Sequence, residues 1–327
     1  MSEALLQVEG LETHLFTKEG VLKPVNGVSF HVDRGETVGL VGESGCGKTM
    51  TALSIMGLVP NPPGRIVGGA IRLDGEDLLQ LDDRTLRTRR SVQMGMIFQD
   101  ASTALNPTMR VGDQIGETMQ RHMGMNGTEA ALHATEILDR VGIPAAEQRL
   151  NDYPHQFSGG MRQRVMIAIA ICCNPELLIA DEPTTALDVT IQAQLLDLIL
   201  ELKEDVGKSV LWITHDLGVV AELCDRVMVM YAGQVVEEAT VEELFLRPRH
   251  PYTAGLLDSM PTLEERRQES LKTIEGMPPN MARMPSGCAF HPRCEYASER
   301  CTEEAPTLER AGGDALVACW HPLNIEV

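Results

Sequence analysis

The 327-residue sequence predicts an α/β fold, a parallel sheet with helices on both faces, followed by an irregular C-terminal module. Three observations carry this. Short apolar runs that do not alternate, TVGLV at Thr37–Val41, LLIA at 177–180, VLWIT at 210–214 and VMVM at 227–230, have the character of strands covered on both faces. The first leads through a glycine-rich loop into a helix-like stretch at 51–58, the order strand, loop, helix. After about Pro248 the composition shifts to proline and charge.

Between Thr108 and Pro154 the pattern turns helical: EAALHATEILDRV at 129–141 sets Ala130, Ile137, Leu138 and Val141 near one face. This predicts a helical insert at about 100–160 within a domain spanning 1–248, with 249–327 as the appended module. The formal net charge of −19 argues against a nucleic-acid partner, because a phosphate backbone repels an acidic surface, and fits a soluble cytosolic protein. No cationic stretch followed by an apolar run opens the sequence, so no export signal is expected. The longest apolar run, 165–173, falls short of the roughly 18 residues that suggest a membrane span. Eight cysteines in such a chain are expected as thiols or metal ligands rather than disulfides.

The loop at 42–49, GESGCGKT, satisfies G-x-x-x-x-G-K-[ST] between a predicted strand and a predicted helix. Gly42, Glu43, Ser44, Gly45, Cys46 and Gly47 would curl backbone N–H groups around phosphate oxygens, where a Cβ at the glycines would obstruct the approach. Lys48 would reach the β and γ phosphates and the Thr49 hydroxyl would ligate Mg²⁺. In LLIADE at 177–182, Asp181 is placed to hold the Mg²⁺ shell and Glu182 to face an attacking water. His215, after VLWIT, is expected at the carboxyl edge of the sheet near a γ-phosphate. Gln99, in IFQD, offers an uncharged group for water or Mg²⁺. A second glycine-rich stretch, FSGGMRQR at 157–164, has the same phosphate-holding chemistry far from the first.

In order and spacing, GESGCGKT, Gln99, FSGGMRQR, LLIADE, Ala186-Leu187-Asp188 and His215 resemble an ABC-type ATPase over roughly Leu6 to Val241. The resemblance implies a P-loop NTPase core with a small antiparallel β subdomain near the N-terminus. It implies that Ser158, Gly159, Gly160 and Met161 close over ATP held by a second subunit, aided by a helix beginning near Met161. Phe16 matches the aromatic that stacks on adenine, Asp188 the residue that crosses the dimer interface, and Gln99 a Mg²⁺-sensing loop beside the membrane-subunit groove. Departures are few: Phe157 replaces the usual leucine, Met161 the usual glutamine, and Cys46 stands where serine is common. As a thiol in an exposed anion-binding loop, Cys46 is expected to be redox-sensitive.

Cys288, Cys294, Cys301 and Cys319 give C-x5-C-x6-C-x17-C in the proline-rich tail. Four thiolates there can hold Zn²⁺ or a [4Fe–4S] cluster, and chemistry alone leaves the two near parity. HPYTAGLLDSMP at 250–261 and GCAFHPRCEYASERC at 287–301 resemble the C-terminal extension of dipeptide and oligopeptide importer ATPases, which favours the cluster. That branch implies a peptide-transporting ATPase at the cytoplasmic face of the inner membrane. Its implied partners are a second, paralogous ATPase, two membrane permeases and an extracytoplasmic binding protein. The rival readings are a soluble ABC ATPase without a transport role, and a metal-centred interaction protein. The former usually carries tandem ATPase units or a long coiled coil, and intact Lys48, Asp181, Glu182 and His215 speak against the latter.

Overall fold

The computed structural model describes residues 4–184, 189–206, 208–260 and 273–324. Its first half runs β1 (Ala4–Thr17), β2 (Gly20–Asp33), β3 (Thr37–Val41), α1 (Lys48–Ile55), β4 (Gly64–Leu73), β5 (Glu76–Asp77), α2 (Asp83–Val92), β6 (Met94–Ile97), α3 (Ala101–Ala104), α4 (Val111–Met123), α5 (Gly127–Arg140), α6 (Ala146–Arg149) and α7 (Gly159–Ile171). The second half runs β7 (Leu177–Asp181), α8 (Val189–Val206), β8 (Ser209–Thr214), α9 (Leu217–Leu223), β9 (Arg226–Tyr231), β10 (Gln234–Thr240), α10 (Val241–Leu246), α11 (Pro251–Asp258), α12 (Glu299–Glu303), β11 (Glu309–Arg310) and β12 (Leu316–Val317). The chain forms two compact units.

One unit comprises Val32–Glu36 and Asp77–Trp212 with the first residues of β1. Within it β6 and β7 pair in parallel, Met94 opposite Leu177 through Ile97 opposite Ala180. Every residue of both strands is buried, so neither run alternates. The stretch read as helical, Thr108 to Pro154, holds α4, α5 and α6, and α7 follows it. Val111, Ile115 and Met119 form the buried stripe of α4, and Ala130, Ala134, Ile137 and Leu138 that of α5. The four α5-face residues chosen from periodicity are all buried, Val141 just past the helix. A capping box between Asn126 and Glu129 starts α5 at Gly127, earlier than the apolar pattern alone suggests.

The other unit comprises Gln7–His31, Thr37–Glu76 and the chain from Ile213 onward. A four-stranded sheet in the order β2-β1-β4-β5 forms its N-terminal part. Here β3 pairs in parallel with β9, Val38 opposite Arg226 and Val41 opposite Val229. A two-residue turn with positive φ at Ala232 (48°) and Gly233 (87°) folds β10 back along β9, the geometry that matches strand twist. The C-terminal region joins this sheet: β12 pairs with β10 through Glu237 opposite Val317, and β11 pairs with β12. Tyr252, Phe290 and Ala315 share one apolar core with Val229, Tyr231, Val236 and Leu244. The buried Glu237 carboxylate accepts the main-chain N–H groups of Arg249 (2.7 Å) and His250 (2.8 Å), which fixes the entry to α11. Among the described residues, no helix is long and apolar enough to cross a membrane.

Candidate functional site

The glycine loop leaves β3 at Val41 and enters α1 at Lys48, three residues before the predicted helix. Gly47 sets this early start. It caps the helix at φ 114°, and a Cβ there would lie 1.9 Å from the Pro24 carbonyl oxygen. Gly42 is equally confined, its Cβ position 2.2 Å from the Met230 carbonyl oxygen. A loop that no other residue could follow therefore leads into a helix N-terminus whose first turn carries no acidic residue. The N–H groups and positive dipole end of such a terminus suit an anion. Ser44, Gly45 and Thr49 are exposed, while Lys48 is buried, with Nζ donating to the carbonyls of Gly42 (2.8 Å) and Glu43 (3.1 Å). The cradle is of the kind a phosphate chain fits.

Cys46 departs from expectation. The thiol is buried, and burial pushes its pKa up against the lowering pull of Lys48. A raised thiol has little thiolate, so the predicted redox sensitivity is corrected: the loop wraps Cys46 inward instead of presenting it. Phe16 on β1 is exposed, its ring 6.4 Å from that of His14. His215 is exposed immediately after β8, and the next residue, Asp216, caps α9 by accepting from the Gly218 N–H (2.9 Å).

In the other unit, β7 delivers Asp181, which is buried, and then Glu182 in the left-handed region at φ 46°. A non-glycine residue rarely adopts that conformation, which here follows directly on the end of the strand. Gln99, just past β6, donates from Nε2 to Glu182 Oε2 at 3.2 Å, so parallel pairing brings together two candidates 83 residues apart. The sequence reading missed Gln163. It is buried on α7 and donates to the Pro183 carbonyl at 2.7 Å, pinning the loop behind Glu182. Its only signal was a polar residue inside an otherwise apolar helix face.

Helix α7 begins at Gly159 rather than near Met161, because Ser158 is its N-cap and accepts from the Met161 N–H (3.3 Å). Ser158 and Gly159 are exposed, and a Cβ on Gly159 would meet nothing within 4 Å. Phe157 is buried beneath the Arg149 guanidinium, 5.7 Å from its ring centroid, and anchors the loop. Asp188 lies outside the described residues.

The four tail cysteines share one neighbourhood. Cys288 N–H donates to the Cys301 carbonyl (2.8 Å), and burial raises the thiols of Cys288 and Cys294. Burial pushes Cys319 up to about 11, with further repulsion from Cys288, Cys294 and Cys301. The expected metal centre is nonetheless not assembled. Among the described residues no three or more His, Cys, Asp or Glu side chains are grouped so as to hold an ion. Local partners orient individual sulfurs: Ser298 Oγ lies 3.6 Å from Cys301 Sγ, and Cys319 Sγ accepts from the His321 N–H (3.3 Å).

Residues 25–185 match the family model "ABC transporter", and residues 236–301 match "Oligopeptide/dipeptide transporter, C-terminal region". The chain is 50% identical over 320 residues to the oligopeptide transport ATP-binding protein OppD of Bacillus subtilis, covering 97% of this chain and 89% of that protein. It is 49% identical over 323 residues to OppD of Salmonella typhimurium, covering 99% and 95%. Among solved structures, a dimeric structure of MJ0796, a bacterial ABC transporter cassette, superposes with a TM-score of 0.65 at 28% identity, covering 72% of this chain and 98% of that one.

Proposed function

The chain belongs to the family of peptide-transport ABC ATP-binding proteins and is an ABC-type ATPase, and from that premise we propose that it powers import of di- and oligopeptides by hydrolysing ATP. The observation that carries the chemistry is Glu182, just past the end of β7, directly after buried Asp181 and hydrogen-bonded to Gln99. Glu182 polarises the attacking water, and Gln99 keeps its carboxylate aimed. Backbone N–H groups of 44–49 hold the phosphate oxygens, while Lys48 exchanges its loop carbonyls for the β and γ phosphates. Thr49, Asp181 and Gln99 are the oxygen donors suited to Mg²⁺, which when bound neutralises charge on the triphosphate. His215 contacts the γ-phosphate and Phe16 stacks on adenine.

Ser158, Gly159, Gly160 and Met161 act on nucleotide held by a second ATPase subunit, a paralogue, with Asp188 crossing the same interface. The exposed α7 N-terminus supports this, as does the dimeric state named for the MJ0796 cassette. The pair works at the cytoplasmic face of the membrane on two permease subunits supplied by an extracytoplasmic binding protein. Glu182→Gln tests the hydrolytic assignment. ATP binding should persist while turnover falls by about 100-fold or more; undiminished turnover would remove Glu182 from its role.

The finer reading of the tail is that Cys288, Cys294, Cys301 and Cys319 take up a [4Fe–4S] cluster, with zinc as its rival. Their shared neighbourhood supports it, although among the described residues their side chains are not grouped so as to hold an ion. Iron and sulfide at cluster stoichiometry in anaerobically purified protein decide for the cluster. Zinc without iron decides for its rival, and neither metal overturns both.

A further inference from the structure

Glu43, the second residue of the glycine loop, is anchored at three points. Its main-chain N–H donates to Tyr252 Oη (2.9 Å), and its carbonyl accepts from Lys48 Nζ (3.1 Å). Its carboxylate is held by both ends of one guanidinium: Arg293 Nη1 to Oε2 at 2.6 Å and Nη2 to Oε1 at 3.0 Å. The Arg293 side chain is 4% exposed and that of Glu43 27%. Arg293 is itself fixed, since Nε donates to the Glu275 carbonyl (3.0 Å) and the guanidinium lies 5.9 Å from the ring centroids of both Tyr231 and Phe290. A sheltered two-pronged pair of this kind has one geometry and resists rearrangement.

Two consequences bear on the loop. With its N–H and carboxylate both tied, Glu43 is held in place on either side of its Cα, and its carbonyl is one of the two that accept from Lys48. The second is charge: a bare carboxylate in a loop built for phosphates would repel them, and Arg293 neutralises it in place. We propose that Arg293 is a positioning residue for the nucleotide loop, acting through Glu43, so that the C-terminal region sets the affinity for ATP. This rests on the reading of 42–49 as the ATP site and adds a residue 250 positions away in sequence.

The test uses the full chain, titrated with a fluorescent ATP analogue and followed in parallel by steady-state hydrolysis. In Arg293→Met the dissociation constant should rise about tenfold while turnover at saturating ATP stays within about twofold. Arg293→Lys keeps the cation without the fork and should lose about threefold. Adding Glu43→Gln to Arg293→Met should restore most of the affinity, because the uncompensated carboxylate is gone. A merely structural arginine would lower melting temperature and active fraction with affinity unchanged, and Glu43→Gln would repair nothing. Wild-type affinity in folded Arg293→Met overturns the proposal. Should that variant not fold, wild-type affinity in Arg293→Lys does the same. Lys48→Ala separates the two levels: retained affinity there refutes the loop as the ATP site and the inference with it, whereas lost affinity there with an unaffected Arg293→Met refutes the inference alone.

Discussion

The molecule has two glycine loops with phosphate-binding chemistry, and they are built in opposite ways. The loop at 42–49 is closed: Gly42 and Gly47 have positive φ and sit against backbone oxygens, Lys48 is drawn inside, and Tyr252 and Arg293 grip Glu43. The loop at 158–161 is open. Ser158 merely caps a helix, Gly159 borders empty space, and its N-terminus is presented outward. Glycine at the first loop is required by its own chain, whereas at the second, among the described residues, nothing lies close enough to require Gly159, which costs helix stability. The difference supports the proposal that the second loop acts on something another molecule brings.

A pair of alanine substitutions breaks this comparison most severely. Gly47→Ala drives a Cβ into the Pro24 carbonyl at a φ that alanine avoids, and ATP affinity of the single subunit should fall by about 100-fold, given a strain of a few kcal/mol. Gly159→Ala should leave that affinity intact and raise the melting temperature slightly, since alanine gains up to about 1 kcal/mol in a helix. Turnover of the assembled transporter should nonetheless drop. Equal effects of the two substitutions on single-subunit ATP affinity would erase the distinction.

Gln163→Leu sharpens the account of the open side. Losing the buried bond to the Pro183 carbonyl should cost about 1–3 kcal/mol of stability. Turnover measured below the melting transition should fall because Glu182 loses its backing, with ATP affinity preserved. Unaltered turnover would show that α7 does not position the hydrolytic carboxylate.

The closed side carries the smallest expected effect. His250 is buried and its pKa is held down to about 3 by desolvation, while Nδ1 accepts from the Tyr252 N–H (3.0 Å) at the start of α11. The unfolded imidazole takes up a proton near 6.5 and the folded one does not, so the contribution is lost as pH falls from about 6.5 towards 3. Asparagine can cap the helix without titrating. Between pH 6.5 and 5 the wild type should lose about 1.5 kcal/mol more than His250→Asn in denaturant titrations. The buried carboxyl of Glu237, raised by desolvation, is common to both proteins and cancels in the difference.

Legibility followed the range of the interactions. Buried strands announced themselves because parallel pairing covers both faces, and the 42–49 loop because its characteristic residues are eight consecutive ones, although the oxygens that confine Gly42 and Gly47 come from Met230 and Pro24. Asp181 and Glu182 were readable as a strand end, but the left-handed turn at Glu182 was not, because no local rule predicts strain that distant packing sustains. Gln163 and Arg293 act across 20 and 250 positions, and their neighbours in sequence do not name the partner, although Gln163 stands out as polar on an apolar helix face. Cys46 was misread for a related reason: motif spacing places a residue in a loop without saying which way it faces. Cysteine spacing likewise puts four thiols near one another but leaves the direction of each sulfur to its local hydrogen bonds.

The central claim is that the open loop completes a nucleotide site on another subunit. A spin label at exposed His155, beside the loop, can be placed in a chain that also carries Lys48→Ala, so that this chain holds no nucleotide of its own. Assembled with a hydrolysis-blocked partner and given ATP with Mn²⁺ in place of Mg²⁺, the label should show strongly enhanced relaxation from the paramagnetic ion in the partner's site. Unchanged relaxation while the partner demonstrably binds Mn²⁺ and ATP would contradict the account.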